Sequence, residues 1–188
     1  SLKKTLCLIL NEEYQYAKIE LFNLPPSLKT EQKQEKYFFL GYIHFKQENF
    51  VQSEYFFTEA LGEKFTQEKE KITGLFTKNE KVSKLKPNAA LYLSIAIPGL
   101  GQLYSGHYKE ALNSFLLSAA LLSIFGYTAA NYTLGEATLS IFPWIFRYYQ
   151  GGYMNAKKLT EKKIQEKRNE ILNELILTIE KSRLKSTK

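Results

Sequence analysis

Cysteine, tryptophan, methionine and histidine are scarce in this 188-residue chain, which has one residue of each of the first three types and two histidines. The single Cys7 cannot form an internal disulfide, and two histidines do not suggest a histidine-rich metal site. Neither a Ser/His/Asp set nor a Cys/His pair is evident, and no glycine-rich loop ends in Gly-Lys-Ser/Thr. We therefore expect no cofactor, no metal site and no enzymatic activity.

Charge is also scarce in one part of the chain. Residues 88–156 contain only Lys109, Arg147, Glu110 and Glu136 as charged residues, although the whole chain carries a net charge of +7. The excess of lysine and arginine therefore flanks an apolar block. Nucleic acid could use that basic charge, but glutamates interleave with the C-terminal lysines, so we expect no nucleic-acid partner.

The apolar block predicts two membrane-spanning helices. Residues 111–130 form a run of 20 residues without a charge, the length that crosses a hydrocarbon core of about 30 Å. Residues 137–146 continue as a second apolar segment, in which Pro143 predicts a kink. The rest of the chain is too small and too polar to bury two such helices, so we expect spans at about 109–130 and 134–150 in a lipid bilayer.

Two helices joined by a tight turn are predicted between Glu35 and Leu61. Tyr37, Leu40, Gly41 and His44 recur at helical spacing before the Gln47-Glu48-Asn49 turn, and Ser53, Phe57 and Ala60 recur after it. The order of aromatic, Leu-Gly and small residues resembles the tetratricopeptide repeat, with His44 in place of an aromatic and Ser53 in place of alanine. Gly41 and Ser53 are expected to face each other across the hairpin.

A second, less complete copy lies 36 residues upstream. Asn11–Tyr14 aligns with Gln47–Phe50, and Pro25-Pro26 ends the copy. Two imperfect copies do not bury a continuous core, since about three repeats are needed. We therefore expect residues 1–76 to form a tetratricopeptide-like region completed by another part of the chain or by a partner.

A glycine-rich turn precedes the apolar block. Residues 89–103 are apolar but too short to span, and Pro-Gly-Leu-Gly interrupts them, so we expect a re-entrant or interfacial helix. The motif contains Pro98, Gly99, Gly101, Gln102, Tyr104 and Gly106, which we call the signature turn. Its role is expected to be structural: the glycines let the backbone turn sharply, and Gln102 satisfies freed backbone groups.

Residues 87–158 resemble a family of small bacterial membrane proteins. Its signature is Pro-Gly-x-Gly-Gln-x-Tyr-x-Gly before a transmembrane hairpin, and Gly152, Asn155 and Ala156 match the family's following turn more loosely. The segment is more distantly similar to the two-transmembrane-segment domain with its Gly-x-x-x-x-Tyr-x-Gly element. The resemblance implies a fold and a location in the bacterial cytoplasmic membrane, rather than an activity.

Charge placement predicts the orientation of the hairpin. Lys109 precedes the first span, lysines at 157, 158, 162 and 163 follow the second, and residues 131–136 between them contain no basic residue. By the positive-inside rule, both ends and the repeat region lie in the cytoplasm. The sequence begins at Ser1 rather than Met, and a removed signal peptide would instead place the repeats in the periplasm and force residues 89–103 across the membrane.

The remaining segments are a basic linker at 77–88 and an amphipathic helix at 157–188. In that helix, one stripe is lined by Leu159, Ile164, Ile171, Leu175 and Ile179, and it can pack on the repeat region or mediate self-association. The chain is thus expected to be all-α, with tetratricopeptide-like hairpins, a membrane hairpin and a long C-terminal helix.

Two functions fit this organisation. The first is a membrane-anchored scaffold for protein–protein interaction, whose repeat groove binds a protein or peptide through Tyr37, His44, Tyr55 and Phe56. The second is an accessory factor for membrane-protein insertion or envelope assembly that acts through the glycine-rich hairpin. Homo-oligomers or a larger membrane complex are compatible with both.

Overall fold

The computed structural model describes residues 2–186 of the chain. Over that range the chain forms nine helices and no strand, so the expectation of an all-α protein is confirmed. The helices are α1 (Leu2–Leu10), α2 (Tyr14–Phe22), α3 (Thr30–Lys46), α4 (Phe50–Leu61), α5 (Thr66–Ser83), α6 (Pro87–Ala96), α7 (Leu100–Tyr104), α8 (Tyr108–Asn131) and α9 (Leu134–Ser186).

These helices form two compact units. Within the described range, the first unit contains residues 2–81 and 168–186, and the second contains residues 82–167. Helix α9 contributes its first part to the second unit and its last part to the first.

The first unit is built on two helical hairpins, in which α1 packs against α2 and α3 against α4. The turn between α3 and α4 lies at residues 47–49, where the sequence predicted it. The side-chain oxygen of Asn49 accepts a hydrogen bond from the backbone N–H of Gln52, which caps the start of α4. Ala17, Leu21, Ile43 and Phe57 are fully buried in this unit.

The close approach of Gly41 and Ser53 is confirmed. The Ser53 hydroxyl donates a 2.8 Å hydrogen bond to the Gly41 carbonyl oxygen across the hairpin. A Cβ atom on Gly41 would lie 2.9 Å from the ring of Phe57, so α3 and α4 pack at a distance that only glycine permits without movement of that ring.

Helix α5 differs from the expectation of a basic linker at 77–88. It continues to Ser83, and only Lys84–Lys86 separates it from α6. Ile72, Leu75, Phe76 and Asn79 are buried at spacings of three and four residues, which holds the segment as an amphipathic helix. Gly74 does not interrupt it, because this glycine is exposed and costs only about 1 kcal/mol of helix stability.

The last part of α9 belongs to the first unit and contacts the α3–α4 hairpin. The Arg168 guanidinium lies 2.6 Å from a carboxylate oxygen of Glu48 and 5.1 Å from the ring centroid of Phe50. Arg183 lies 5.1 Å from the ring centroid of Phe38. Of the two roles that the sequence left open for this segment, the described contacts show packing on the hairpin region.

Helix α9 also differs from the expected division into a second span at 134–150 and a separate helix at 157–188. It is a continuous helix of 53 residues, with Pro143 and Gly151-Gly152 in its interior. The glycines cost about 1 kcal/mol each, and the segment that follows them contains the stronger helix formers Met154, Ala156, Lys157, Lys158 and Leu159. The apolar segment and the C-terminal amphipathic segment therefore share one helix.

The second unit contains α6, α7, α8 and the first part of α9. Pro87 occupies the first turn of α6, where a missing N–H costs nothing. The chain leaves the helix at Ile97–Gly99, forms the five-residue α7, and turns again at Ser105–His107 into α8. Both interruptions lie within the glycine-rich stretch, as the sequence predicted.

Candidate functional site

The signature turn is held by a buried hydrogen-bond chain that links three helices of the second unit. The backbone N–H of Gly101 donates to Ser94 Oγ at 3.0 Å, and Ser94 Oγ donates to Gln102 Oε1 at 2.9 Å. Gln102 Nε2 then donates to the carbonyl oxygen of Gly152 on α9 at 2.9 Å. Ser94 and Gln102 are both about 1–2% exposed, so water cannot replace these bonds without opening the unit.

Two glycines of the turn are required by their surroundings. A Cβ atom on Gly101 would lie 1.9 Å from the Ala90 carbonyl oxygen, which belongs to rigid helix backbone. Gly99 has a φ of +92°, and its Cβ would lie 2.4 Å from the Ala111 carbonyl oxygen. These contacts bring α7 against both α6 and α8.

A second set of contacts fixes the turn into α8. Lys163 Nζ on α9 donates to the Ser105 carbonyl oxygen at 2.6 Å, and Ser105 Oγ donates to the Gln102 carbonyl oxygen at 3.0 Å. The Tyr104 hydroxyl accepts a 3.2 Å hydrogen bond from the backbone N–H of Lys86. Pro98 and Gly106 are partly buried. The structural role expected for the signature turn is consistent with these contacts.

Three residues of this network were missed by the sequence reasoning: Ser94, Ser105 and Lys163. Ser94 has a visible signal, since it is a lone hydroxyl between Leu93 and Ile95 in an apolar helix next to a chain break. Lys163 has none, because it lies among other lysines and only the course of α9 brings it to the turn.

The four candidate partner-binding side chains lie together around Phe56. The ring centroid of Phe56 is 6.1 Å from that of Tyr37, 5.3 Å from that of His44 and 5.2 Å from that of Tyr55. We call these four residues the aromatic cluster. Tyr55 is exposed and the other three are partly buried.

His44 is the titratable member of the aromatic cluster. Burial lowers the pKa of the imidazole, and the positive charge of Lys18 lowers it further. Its Nδ1 atom is buried without a hydrogen-bond partner in the described structure. The ring is therefore neutral at pH 7 and stacks on Phe56 at an interplanar angle of 22°.

Tyr37 also borders a cleft of about 620 Å³ in the first unit. The cleft lies between the start of α3 and the end of α4, and Glu31, Lys33, Glu59 and Glu63 are among its lining residues. Lys33 Nζ is 5.7 Å from the Tyr37 ring centroid. A groove that combines Tyr37, Phe65 and charges of both signs suits a peptide segment with both polar and apolar side chains.

Helix α8 is long and apolar enough to span a membrane. Its 24 residues include an 18-residue window with a mean hydropathy of 1.5, of which only 6% is buried. Leu112, Phe115, Leu116 and Leu122 are exposed, so the apolar surface of this helix is not covered within the second unit. No other helix among residues 2–186 meets the same criterion of length and hydropathy.

The first part of α9 carries a weaker apolar signal than the sequence analysis expected of a second span. Leu139, Phe142, Trp144 and Phe146 are exposed on it. Glu136 and Arg147 lie at the two ends of this segment.

Within the part of the chain that the structure describes, no group of three or more His, Cys, Asp or Glu side chains is placed to hold a metal ion.

No protein-family model, curated protein or solved structure matches this chain. The resemblance of residues 87–158 to a family of small bacterial membrane proteins therefore depends on the signature residues alone.

Proposed function

We propose that the chain is a membrane-anchored adaptor that holds a tetratricopeptide-like helical module at a bacterial cytoplasmic membrane. The observation that supports this most is the contrast between the two units. The first buries its own core, whereas α8 of the second leaves an apolar surface uncovered over a length that matches a bilayer.

The anchor in this proposal is a hairpin of α8 and the apolar start of α9. Asn131–Glu136 lies between the two segments and contains no basic residue, whereas Lys109 and Lys157 lie at the opposite end of the hairpin. The positive-inside rule then places residues 131–136 outside and both units' basic segments in the cytoplasm.

The module in this proposal binds a protein or peptide through the aromatic cluster and the adjoining cleft. Solvent-exposed tyrosine beside partly buried aromatic rings is typical of interaction surfaces, because such side chains bury a large area at a small entropic cost. Tyr55 supplies the exposed ring, and Tyr37 connects the cluster to the cleft.

Carbonate extraction of membranes tests the anchor. The full chain is expected to stay in the pellet, and the double variant Leu116→Arg/Leu122→Arg is expected to move to the supernatant, since each arginine costs about 2.5–3.5 kcal/mol at the centre of a span. The matched control is the double variant Tyr16→Arg/Val51→Arg, which places the same two charges on exposed residues of the first unit. Extraction of the unmodified chain would refute the anchor.

Photo-crosslinking in intact cells tests the module. A photoreactive residue at Tyr55 is expected to give a discrete protein adduct. The same photoreactive residue at exposed Lys64, which lines the cleft and not the aromatic cluster, reports whether the partner also contacts the cleft. The adduct at position 55 must be lost in the variant Phe56→Ala, which removes the ring around which the cluster is arranged. An adduct unaffected by Phe56→Ala would contradict the proposed surface.

A second function is favoured by one observation. Tyr92, Ile95, Ile97 and Leu103 on or beside α6 and α7 are exposed, which gives the glycine-rich segment its own apolar surface next to the hairpin. An accessory factor for membrane-protein insertion or envelope assembly would act through that surface. Under this alternative, Ile97→Ser should abolish the insertion or assembly activity although the aromatic cluster is intact. Under the adaptor proposal, the crosslinked adduct at Tyr55 persists in Ile97→Ser.

A further inference from the structure

A cleft in the second unit is bordered by α7, α8 and α9, and most of the residues that line it are polar types. Its volume is about 430 Å³, within the range of roughly 300–1,000 Å³ that small-molecule sites have. Its lining residues include Gln102, Glu110, Asn113, Arg147, Gly151 and Asn155. These polar side chains contrast with the exposed apolar residues farther along α8, among them Leu122 and Ile124.

The cleft carries one charge of each sign. Glu110 on α8 and Arg147 on α9 both line it, and within residues 2–186 neither has an ion-pair partner. The side chains of Asn113 and Asn155 also have no hydrogen-bond partner in the described structure. Gln102, by contrast, uses both ends of its amide in the network of the signature turn. The cleft therefore offers a cation, an anion and two amides to a ligand.

Gly151 keeps the cleft open. A Cβ atom at this position would meet no protein atom within 4 Å, so packing within the protein does not require glycine there. A glycine inside a helix costs about 1 kcal/mol relative to alanine, and space for a ligand is a reason to retain it. Gly152 differs, since its Cβ would lie 3.1 Å from Ser114 Oγ.

We propose that this cleft binds the headgroup of a zwitterionic phospholipid that has a primary amine. A phosphodiester is recognised by the Arg147 guanidinium, and an ammonium group by the Glu110 carboxylate and the amide oxygens of Asn113 and Asn155. An anionic headgroup without an amine would leave the Glu110 carboxylate beside a second negative charge. A choline headgroup has no N–H to donate.

The position of the cleft favours a lipid over a dissolved headgroup of the same chemistry. This step rests on the proposed function, in which the end of the hairpin near Tyr108 and Arg147 lies at the cytoplasmic surface of the bilayer. Phe115, Leu116 and Phe146 are exposed near the cleft and would contact acyl chains. The basic residues that follow, from Lys157 onward, are placed at headgroup level.

Native mass spectrometry of the full chain tests this proposal. The chain is reconstituted in vesicles with equal amounts of phosphatidylethanolamine, phosphatidylcholine and phosphatidylglycerol, then extracted in mild detergent, and the retained lipids are counted. One phosphatidylethanolamine per chain is expected, in excess over the other two. Gly151→Leu, which fills the cleft, should lower that retention about tenfold or more, equivalent to at least about 1.4 kcal/mol.

The matched control is Gly126→Leu, because Gly126 lies on α8 with no atom within 4 Å of its Cβ and does not line the cleft. Glu110→Gln should remove the preference for phosphatidylethanolamine over phosphatidylcholine, and Arg147→Gln should lower the retention of both. Equal retention in Gly151→Leu and Gly126→Leu, or a preference of the unmodified chain for phosphatidylglycerol, would overturn the proposal.

A further arm separates the lipid from its soluble headgroup. Glycerophosphoethanolamine at the same concentration should not displace the retained lipid, and displacement would overturn the lipid assignment. Failure of this proposal is distinguishable from failure of the proposed function. If the chain resists carbonate extraction but retains no phosphatidylethanolamine, only the proposed headgroup site is refuted. If carbonate extracts the chain, the proposed membrane anchor is refuted.

Discussion

Gly101 packs directly against Ala90, since a Cβ atom on Gly101 would lie 1.9 Å from the Ala90 carbonyl oxygen. Neither the carbonyl, which belongs to α6, nor the five-residue α7 can shift without breaking the hydrogen bond between Gly101 N–H and Ser94 Oγ. The signature turn therefore depends on this glycine for the contact between α6 and α7.

Gly101→Ala is expected to destabilise the second unit by about 1–3 kcal/mol, because overpacking outweighs the better helix propensity of alanine. Trp144, the only tryptophan in the chain, reports unfolding of this unit by its fluorescence during denaturant titration in detergent. The control Gly126→Ala has open space at its Cβ and should be neutral or slightly stabilising. Equal stability of Gly101→Ala and the unmodified chain would contradict the packing argument.

Ser94 and Gln102 are expected to be energetically coupled. Ser94→Ala leaves the Gly101 N–H and the Gln102 oxygen without their buried partner, at a cost of about 1–3 kcal/mol for each unsatisfied group. Gln102→Leu removes the bond to Gly152 as well. A double-mutant cycle read by Trp144 fluorescence should give a coupling energy of about 0.5–3 kcal/mol. Additive effects would show that the two side chains act separately.

Arg168 and Lys185 are expected to differ in their contributions to the first unit, although both form ion pairs. The side chain of Arg168 is 15% exposed and also lies over the Phe50 ring, whereas that of Lys185 is 68% exposed. Arg168→Ala should cost about 1–3 kcal/mol, and Lys185→Ala no more than about 0.5 kcal/mol. Denaturant unfolding followed by far-UV circular dichroism measures both, and equal losses would contradict the assignment.

The stability of the first unit is expected to fall as the pH decreases below 6.5 because of His44. Burial and Lys18 lower the pKa of His44 in the folded chain below its ordinary value of 6.5, so the unfolded chain binds the proton more tightly. The contribution of His44 to stability is therefore complete above pH 6.5 and decreases as the pH falls towards the lowered pKa.

The variant His44→Phe should remove this part of the pH dependence while it keeps the stacking on Phe56. Denaturant unfolding of the two chains at several pH values between 5 and 7.5 makes the comparison. Glu20 and Glu68, whose pKa values hydrogen bonds from Lys4 and Lys185 lower below the ordinary 4.5, lose their contributions as the pH approaches 4.5, and they do so equally in both chains. The same slope in both chains would contradict the assignment to His44.

The local features of the fold were predictable where a short pattern determines the geometry. The spacing of Gly41 and Ser53 predicted a hairpin with a close helix contact, and the structure places a hydrogen bond between them. Pro98-Gly99 predicted a break in the apolar run, and α6 ends before it. In both cases the small size or the restricted backbone of the residues limits the local geometry to a few conformations.

The features that depend on distant contacts were not predictable. Gly74 and the surrounding lysines suggested a linker. The segment forms helix α5 because Ile72 and Phe76 are buried, and the sequence alone does not show what these side chains pack against. Pro143 and the Gly151-Gly152 pair suggested separate helices, but α9 runs through them. The bond from Lys163 to the Ser105 carbonyl oxygen joins residues 58 positions apart.

The central claim is that a hairpin anchors the chain in the membrane and that the helical module lies in the cytoplasm. Thiol accessibility in intact cells tests this claim most directly. In a Cys7→Ser background, single cysteines replace Asn131, between α8 and α9, and Val51, on the surface of the first unit; both positions are exposed. A membrane-impermeant maleimide should label position 131 in intact cells and position 51 only after the cells are permeabilised. Labelling of position 51 in intact cells, or protection of position 131, would contradict the account.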